Sequence, residues 1–329
     1  MPAQPEFAVD LAAIRDAERR IRPHVHRTPV LRSRSLDVLA GRSLLFKCEC
    51  LQRGGSFKLR GAANAVLSLP SDPMPAGVVT HSSGNHAQAL AIAAGLRGLP
   101  AWIVMPRTAP RVKRAAVEGY GGRIIECEPT LRAREAAAAR LVAETGGALI
   151  PPFDHADVIA GQGTIALELV EQAPELEAVI VPVGGGGMIS GIALALRELR
   201  PGLAVYGAEP LGADDAARSR RAGERLPQDD PRTIADGLRT SLGELTWPVV
   251  RDVVRDIFTA DEPEIVAALR LVWERMKLVI EPSAAVGLAV ALSERFRREA
   301  PERRVAVVLC GGNVDLDALP FGDAPRPLG

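Results

Sequence analysis

EAVIVPVGGGGMISGIALALREL, residues 177–199, sets an apolar run of strand length against four consecutive glycines and then an apolar, alanine-rich helical pattern. A strand without polar alternation is buried on both faces, as in a parallel sheet, and the helix behind it is the crossover such a sheet requires. Gly184, Gly185, Gly186 and Gly187 leave their amide N–H groups unobstructed, and the helix that follows adds a favourable potential for an anion. Four adjacent glycines cost backbone entropy, so a phosphate cradle completed by Met188 accounts for them better than a merely flexible turn does. The run is neither GxGxxG nor a Walker loop ending in GK[ST], which removes the best evidence for a dinucleotide or for ATP at this position.

The same alternation extends in both directions. SLLFKCE, GVVTH, AWIVMP, RIIEC, ALIPPF, LAVYGAE and RVAVVLC are further strand candidates, and residues 85–96, 132–145, 164–171 and 262–277 carry helical patterns between them. This reads as an α/β protein with mainly parallel, twisted sheets covered by helices. The proline-rich segment 70–75 and the Pro151-Pro152 pair bracket a block of βα units, so a small domain is expected at 76–150 within a large domain made of 1–75 and 151–329. The tail PFGDAPRPLG reads as a loose end.

Formal charge is zero, with 40 acidic and 40 basic residues mixed along the chain. No basic stripe points to nucleic acid and no polybasic end to a membrane surface, so small solutes are the expected partners. The first twenty residues carry charges where a signal peptide needs an apolar core, and no uncharged run approaches a membrane span; a cytoplasmic protein is expected. Cys48, Cys50, Cys127 and Cys310 have neither zinc-site spacing nor the density of a disulfide scaffold, so they read as reduced thiols.

Lys47, Lys58, Lys113 and Lys277 are the only lysines, against thirty-six arginines. Either cation serves solvation and ion pairing, but imine chemistry needs a primary amine that can lose its proton, which guanidinium cannot do. Of the four, Lys58 stands in GGSFKLRGA, residues 54–62, where a glycine pair precedes a helix whose first turn carries the lysine. The positive end of the helix dipole lowers the pKa of an amine placed there. SSGNHAQ, residues 82–88, follows the strand GVVTH; its free N–H groups would hold a carboxylate, although taken alone it is equally a helix capped by Ser83 or Asn85. Cys310-Gly311-Gly312-Asn313 closes the strand RVAVVL with glycines that allow close approach of a planar ring; as an isolated residue Cys310 reads as core packing.

GGSFKLRGA, SSGNHAQAL, PVGGGGMISGIA, EPSAAVGLAVAL and CGGNVDLD, in that order over residues 54–317, resemble the serine racemase and serine/threonine dehydratase family of pyridoxal 5'-phosphate (PLP) enzymes of fold type II. Segments VIAGQGTIALE, ADDAARS, TIADGLRTSLG and LVWERMKLVIEPSAAVG look especially like serine racemase. The resemblance implies that Lys58 carries PLP through an imine and acts as the base at Cα, with Phe57 beside the ring. It further implies Asn85 on the phenolic oxygen, Gly184 to Met188 around the phosphate and Cys310 by the pyridine nitrogen. Ser82, Asn85, His86, Ala87 and Ser241 would bind the substrate. A neutral thiol at the ring nitrogen makes a weaker electron sink, which favours prompt loss of a β-leaving group.

The activity implied is dehydration of a small 3-hydroxy amino acid (serine, threonine or 3-hydroxyaspartate) to a 2-oxo acid and ammonia, with serine or aspartate racemisation as the alternative. Ser83 matches the second acid/base of serine racemases, where threonine dehydratases commonly have alanine. Arg134 matches an arginine that serine racemases aim at the substrate cleft, and would pair with a second substrate carboxylate. Phe153, in contrast, is dehydratase-like. A divalent cation (magnesium, calcium or manganese) is implied at Glu209, the Ala213 carbonyl and Asp215, all hard oxygen donors; without the resemblance Asp214 and Asp215 read as helix caps. A homodimer is expected. The ATP effector site of the animal enzymes is matched at Gln88 and Tyr120, whereas Arg53-Gly54 replaces a lysine-threonine pair, so nucleotide binding stays open.

Overall fold

The computed structural model describes residues 7–109 and 111–321. Its strands are β1 (Val30–Arg32), β2 (Ser43–Lys47), β3 (Val78–Thr80), β4 (Ala101–Pro106), β5 (Arg123–Cys127), β6 (Ala148–Leu149), β7 (Ala178–Pro182), β8 (Ala204–Pro210), β9 (Asp256–Ala260) and β10 (Arg304–Val308). They form a six-stranded sheet in the order β1-β2-β10-β7-β8-β9 and a four-stranded sheet in the order β5-β4-β3-β6. Only β1 runs antiparallel to its neighbour. The α/β, mainly parallel architecture read from the sequence is the architecture observed.

Details differ where local signals are weak. β1 and β9 are absent from the strands expected, because VLR is three residues long and DIFTA opens on an aspartate. ALIPPF yields only the two residues of β6, since the following prolines lack the N–H a ladder needs. The helix expected at 164–171 extends over Ala156–Gln172. The one expected at 262–277 is α-helical over Glu262–Leu271 and continues as a π-turn over Val272–Met276. Of the tail, residues 322–329 lie outside the described residues, while Phe321 packs edge-on against Trp273 at 5.4 Å.

The core around the four-stranded sheet draws on Leu59, Ala62, Ala63, Ala65 and Val66 of the helix Lys58–Ser68, outside segment 76–150. That helix therefore packs with the four-stranded sheet although it precedes segment 76–150 in the chain. It crosses the helix Ala156–Gln172 where Gly61 and Gly161 remove side chains: a Cβ on Gly161 would lie 2.5 Å from the Arg60 carbonyl oxygen. The helix Ala156–Gln172 crosses the helix Gly187–Leu199 in the same way, since a Cβ on Gly191 would lie 2.3 Å from the Ile159 carbonyl oxygen. Backbones this close fix the start of the Lys58 helix against the glycine run. The segments carrying Ser82, Gly184 and Cys310 follow β3, β7 and β10 at the carboxyl ends of parallel strands, where open α/β sheets place ligands, and Asn85 and Asn313 bring the first and last of them into contact at 2.9 Å.

Candidate active site

Lys58 is the first residue of its helix, and its Nζ donates to the Pro152 carbonyl at 2.8 Å. The amine is pushed down to about 8, chiefly by burial, with Cys310 and Glu281 opposing. Desolvation, more than the helix dipole invoked from sequence, is thus what prepares it. The Phe57 ring centroid stands 5.1 Å from Nζ. The Phe57 N–H donates to the Cys310 carbonyl at 3.1 Å, and Ser56 bridges Gly311, which ties the lysine loop to the end of β10. Cys310 is 3% exposed, and burial, followed by the Glu281 charge, pushes its thiol well above the ordinary range. It is a neutral thiol.

Within the glycine run Gly186 adopts φ +86°, in the left-handed region that suits glycine. The first-turn bond runs from the Ser190 N–H to the Gly186 carbonyl, leaving the N–H groups of Gly187, Met188 and Ile189 without intrahelical acceptors. Phe153 covers the run: a Cβ on Gly185 would lie 2.3 Å from its ring. Thr246 Oγ1 donates to the Gly185 carbonyl at 2.8 Å, and Asp154 accepts from the Glu244 and Leu245 N–H groups at 2.9 Å each. Ser241 lies in this bracing loop, where its Oγ accepts from the Gln228 N–H at 2.8 Å.

The segment 82–88 begins the helix Asn85–Leu96, whose N-cap is Gly84; neither Ser83 nor Asn85 caps it. Among the described residues Ser83 is half-buried and its hydroxyl has no hydrogen-bond partner. His86 is 1% exposed, with Nε2 at 3.0 Å from the Ile150 carbonyl. Burial, then Lys58, pushes its imidazole down to about 3, so it is neutral. Ala87 is fully buried. Arg134 has a buried Nε with no partner and acts on His81, beside Ser82, whose imidazole is pushed down by burial first and by Arg134 second. Of the residues matched to a nucleotide site, Gln88 is buried and Tyr120 exposed, and Arg53, which departs from the match, is exposed.

Three residues at the centre carry no role in the sequence reading: Glu281, Asn313 and Pro152. Glu281, 5% exposed, accepts from Asn85 Nδ2 on both oxygens, at 2.9 and 3.0 Å. Asn313 Nδ2 donates to Asn85 Oδ1 and to the Gly54 carbonyl, each at 2.9 Å. Burial pushes the Glu281 carboxyl up to about 7; Asn85 opposes, Asp236 adds to the rise, and Lys113 and Lys58 oppose. In sequence, Glu281 opens the motif EPSAAVGLAVAL without a role of its own, and burial of its carboxyl follows from tertiary packing.

Glu209 and Asp215 are fully buried and form no ion pair with a lysine or arginine among the described residues. Glu209 caps the helix Asp215–Ala222, accepting from the Ala216 and Ala217 N–H groups at 3.1 and 2.8 Å. The helix-cap role weighed for Asp214 and Asp215 thus falls to Glu209, while Asp214 turns to Arg218 at 2.8 Å. Asp215 Oδ2 accepts from the Leu242 N–H at 3.0 Å, and its Oδ1 is buried without a partner. Burial raises both carboxyls, Asp215 to about 6, and the Asp215 charge raises Glu209 further. No group of three or more His, Cys, Asp or Glu side chains suited to a metal occurs among the described residues. A cation held here would therefore need the Ala213 carbonyl and water besides the two carboxylates.

A lowered amine on a helix start, unpaired N–H groups behind a glycine run and a buried neutral thiol at a strand end together suit PLP. The family model described as pyridoxal-phosphate dependent enzyme matches residues 21–311, and the chain belongs to that family, with the type II fold. Within it the chain is similar to the serine racemase of Arabidopsis thaliana, 52% identical over 95% of this chain and 96% of the relative. The structure of maize serine racemase superposes with a TM-score of 0.93 at 49% identity, covering 94% of this chain and 95% of that one. The serine racemase of Dictyostelium discoideum superposes with a TM-score of 0.90 at 47% identity, covering 94% of this chain and all of that one. A threonine deaminase follows the same fold with a TM-score of 0.89 at 46% identity, again covering 94% of this chain and all of that one. No helix among the described residues is long and apolar enough to cross a membrane.

Proposed function

We propose that this chain interconverts the enantiomers of serine, with loss of water from the same substrate as a side reaction. The observation that carries this reading is the similarity, at about half identity over nearly the whole of both chains, to proteins named serine racemase. It reverses the order taken from sequence, where dehydration came first. PLP, held by Lys58, Phe57, Asn85, Gly184 to Met188 and Cys310, would supply an aldehyde for the substrate amine and a ring that withdraws electrons from Cα. Ser82, Asn85 and His86 offer the α-carboxylate the N–H groups ahead of and within a helix start, Ala87 lines the same turn while its N–H donates to the Gly84 carbonyl at 3.1 Å, and the neutral His86 ring adds no competing charge. Ser241 borders the site through the loop that braces the glycine run.

Inversion at Cα needs one group to take a proton and another to give one. Lys58 Nζ, with its lowered affinity for protons, serves as the base, and Ser83 Oγ, free of internal partners, as the donor. One passage transfers the Cα proton to Lys58 and the Ser83 hydroxyl proton to the opposite face of Cα, and exchange with solvent restores both groups. Arg134, with its unpaired Nε, would extend the range to a substrate bearing a second carboxylate. A second reading, dehydration to a 2-oxo acid and ammonia, is supported by the threonine deaminase likeness and by Phe153 over the glycine run.

Chiral chromatography of L-serine incubated with enzyme and PLP, with 2-oxo acid measured in parallel, separates the two. D-Serine forming faster than oxo acid is the expected result; oxo acid alone would leave the dehydratase reading. Ser83→Ala is expected to slow enantiomer exchange by about 10²-fold or more while L-serine elimination continues. Equal losses would remove the role given to Ser83.

We also place a divalent cation at Glu209, Asp215 and the Ala213 carbonyl, supported by the unpartnered Asp215 Oδ1. Adding magnesium, calcium or manganese to chelator-treated protein is expected to raise Tm, by the equivalent of about 2.7 kcal/mol at a hundredfold excess over Kd. Asp215→Ala should abolish the rise. An unchanged melting curve in the parent protein would refute the site.

A further inference from the structure

We infer that Glu281 is a positioning residue that fixes which way the Asn85 amide faces, so that the cleft presents an N–H donor, not a carbonyl acceptor, to the cofactor ring. An asparagine amide has two nearly isosteric orientations, and only its partners choose between them. Here the choice is made from both ends. The Glu281 carboxylate is an acceptor and takes an Asn85 Nδ2 hydrogen at 2.9 and 3.0 Å on its two oxygens. Asn313 is a donor, giving Nδ2–H to Asn85 Oδ1 at 2.9 Å, and the Gly54 carbonyl, which accepts from the same Nδ2 at 2.9 Å, holds Asn313 in that sense. Flipping Asn85 would set its NH2 against the NH2 of Asn313 and, with Glu281 ionised, its oxygen against a buried carboxylate. One Nδ2 hydrogen remains uncommitted and is the donor left for the ring.

Glu281 is itself held at both ends of its segment. The π-turn Val272–Met276 ends at Lys277, whose φ of +60° reverses the chain. Trp273 Nε1 donates to the Ile280 carbonyl at 3.1 Å, and the Glu281 N–H donates to the Gly311 carbonyl at 3.0 Å. Gly311 leaves room for the carboxylate, since a Cβ there would stand 2.6 Å from Oε1. A buried acceptor held this firmly keeps a neighbouring amide in one orientation at low entropic cost.

The inference rests on Asn85 lying beside the cofactor, and the test separates the two. Apoprotein of Glu281→Leu, Glu281→Gln and Asn85→Ala would be titrated with PLP, following the dissociation constant and the visible absorption maximum, with Tm as a check of folding. Glu281→Leu is expected to weaken PLP binding about tenfold, the worth of one buried hydrogen bond, and to displace the maximum. Glu281→Gln, which keeps an acceptor, should recover most of both. A Glu281→Leu protein with parental binding and spectrum, beside an Asn85→Ala protein altered in both, would overturn the role of Glu281. Parental behaviour in Asn85→Ala would overturn the placement of Asn85 and the inference with it. If Glu281→Leu does not fold, Glu281→Gln decides: a shift as large as that of Asn85→Ala would show that acceptance by the side chain is not what Glu281 supplies, and near-parental values would support it.

Discussion

Lys58→Ala is expected to remove the visible absorption of bound PLP and to lower turnover of serine by at least about 10³-fold, because in the proposed reaction one amine both holds the cofactor and moves the Cα proton. The other three lysines cannot substitute. Lys47 is fully buried and donates to Glu168, Gln172 and the Thr28 carbonyl at 2.6, 2.9 and 2.8 Å. Lys113 pairs with Asp236, and Lys277 Nζ turns back to the Glu274 carbonyl at 2.6 Å. Lys113→Ala is therefore the matched control and should leave absorption unchanged. The parent protein adds a pH test. With its amine pushed down to about 8, Lys58 is in the free-base form to about a tenth at pH 7, against well under a thousandth for an ordinary lysine. PLP uptake by apoprotein should then quicken about tenfold per pH unit below 8 and level off above it. Turnover by Lys58→Ala at the parental rate would refute the assignment; a plateau delayed to pH 10 would refute the lowered amine.

How much of this was legible in the residues depends on whether a feature is local. The strand, glycine run and helix at 177–199 are consecutive, so their meaning survives without the fold. Lys58 was singled out by the scarcity of lysine and by the glycine pair before it. Glu281, Asn313 and Pro152 stand inside marked stretches but gain no individual role there, because their work comes from being packed against chain 94 to 259 residues distant. Glu209 misled in a related way. The helix Asp215–Ala222 has aspartates at its start, the usual capping residues, yet a glutamate at the end of β8 supplies the acceptor instead. Charges gave the weakest guidance. Lys47, Glu49, Arg60 and Glu168 carry no sign in sequence that they pair, and prove to be buried together.

That buried group sets the last expectation: Arg60→Ala should destabilise the fold by about 3–5 kcal/mol, the cost of stripping the partner from a buried carboxylate. Arg60 is fully buried, two residues after Lys58 on the same helix. Its Nε and Nη2 hold the two oxygens of Glu49 at 2.8 Å each, and Nη1 and Nη2 hold Glu168 at 2.7 and 3.0 Å. Alanine leaves Glu49 with Thr28 as its remaining side-chain partner, at 2.5 Å, and Glu168 with Lys47. Burial alone would raise the Glu168 carboxyl, but hydrogen bonding and charge from Arg60 and Lys47 outweigh it and hold it below the ordinary range. A carboxylate depressed in this way stabilises the fold above its unfolded pKa, and that contribution is lost as pH falls through the lower folded value. In Arg60→Ala only Lys47 is left to oppose burial of Glu168, so the folded carboxyl rises and protonation becomes less costly. The gap between parent and variant, measured by denaturant unfolding, should thus narrow as pH falls from 7 toward 5. Arg60→Lys, which keeps the charge and loses the planar fork, should fall between the two. A loss below about 1 kcal/mol in Arg60→Ala, the range of exposed ion pairs, would mean that water reaches the vacated carboxylates and that the helix of Lys58 is held by its glycine crossings alone.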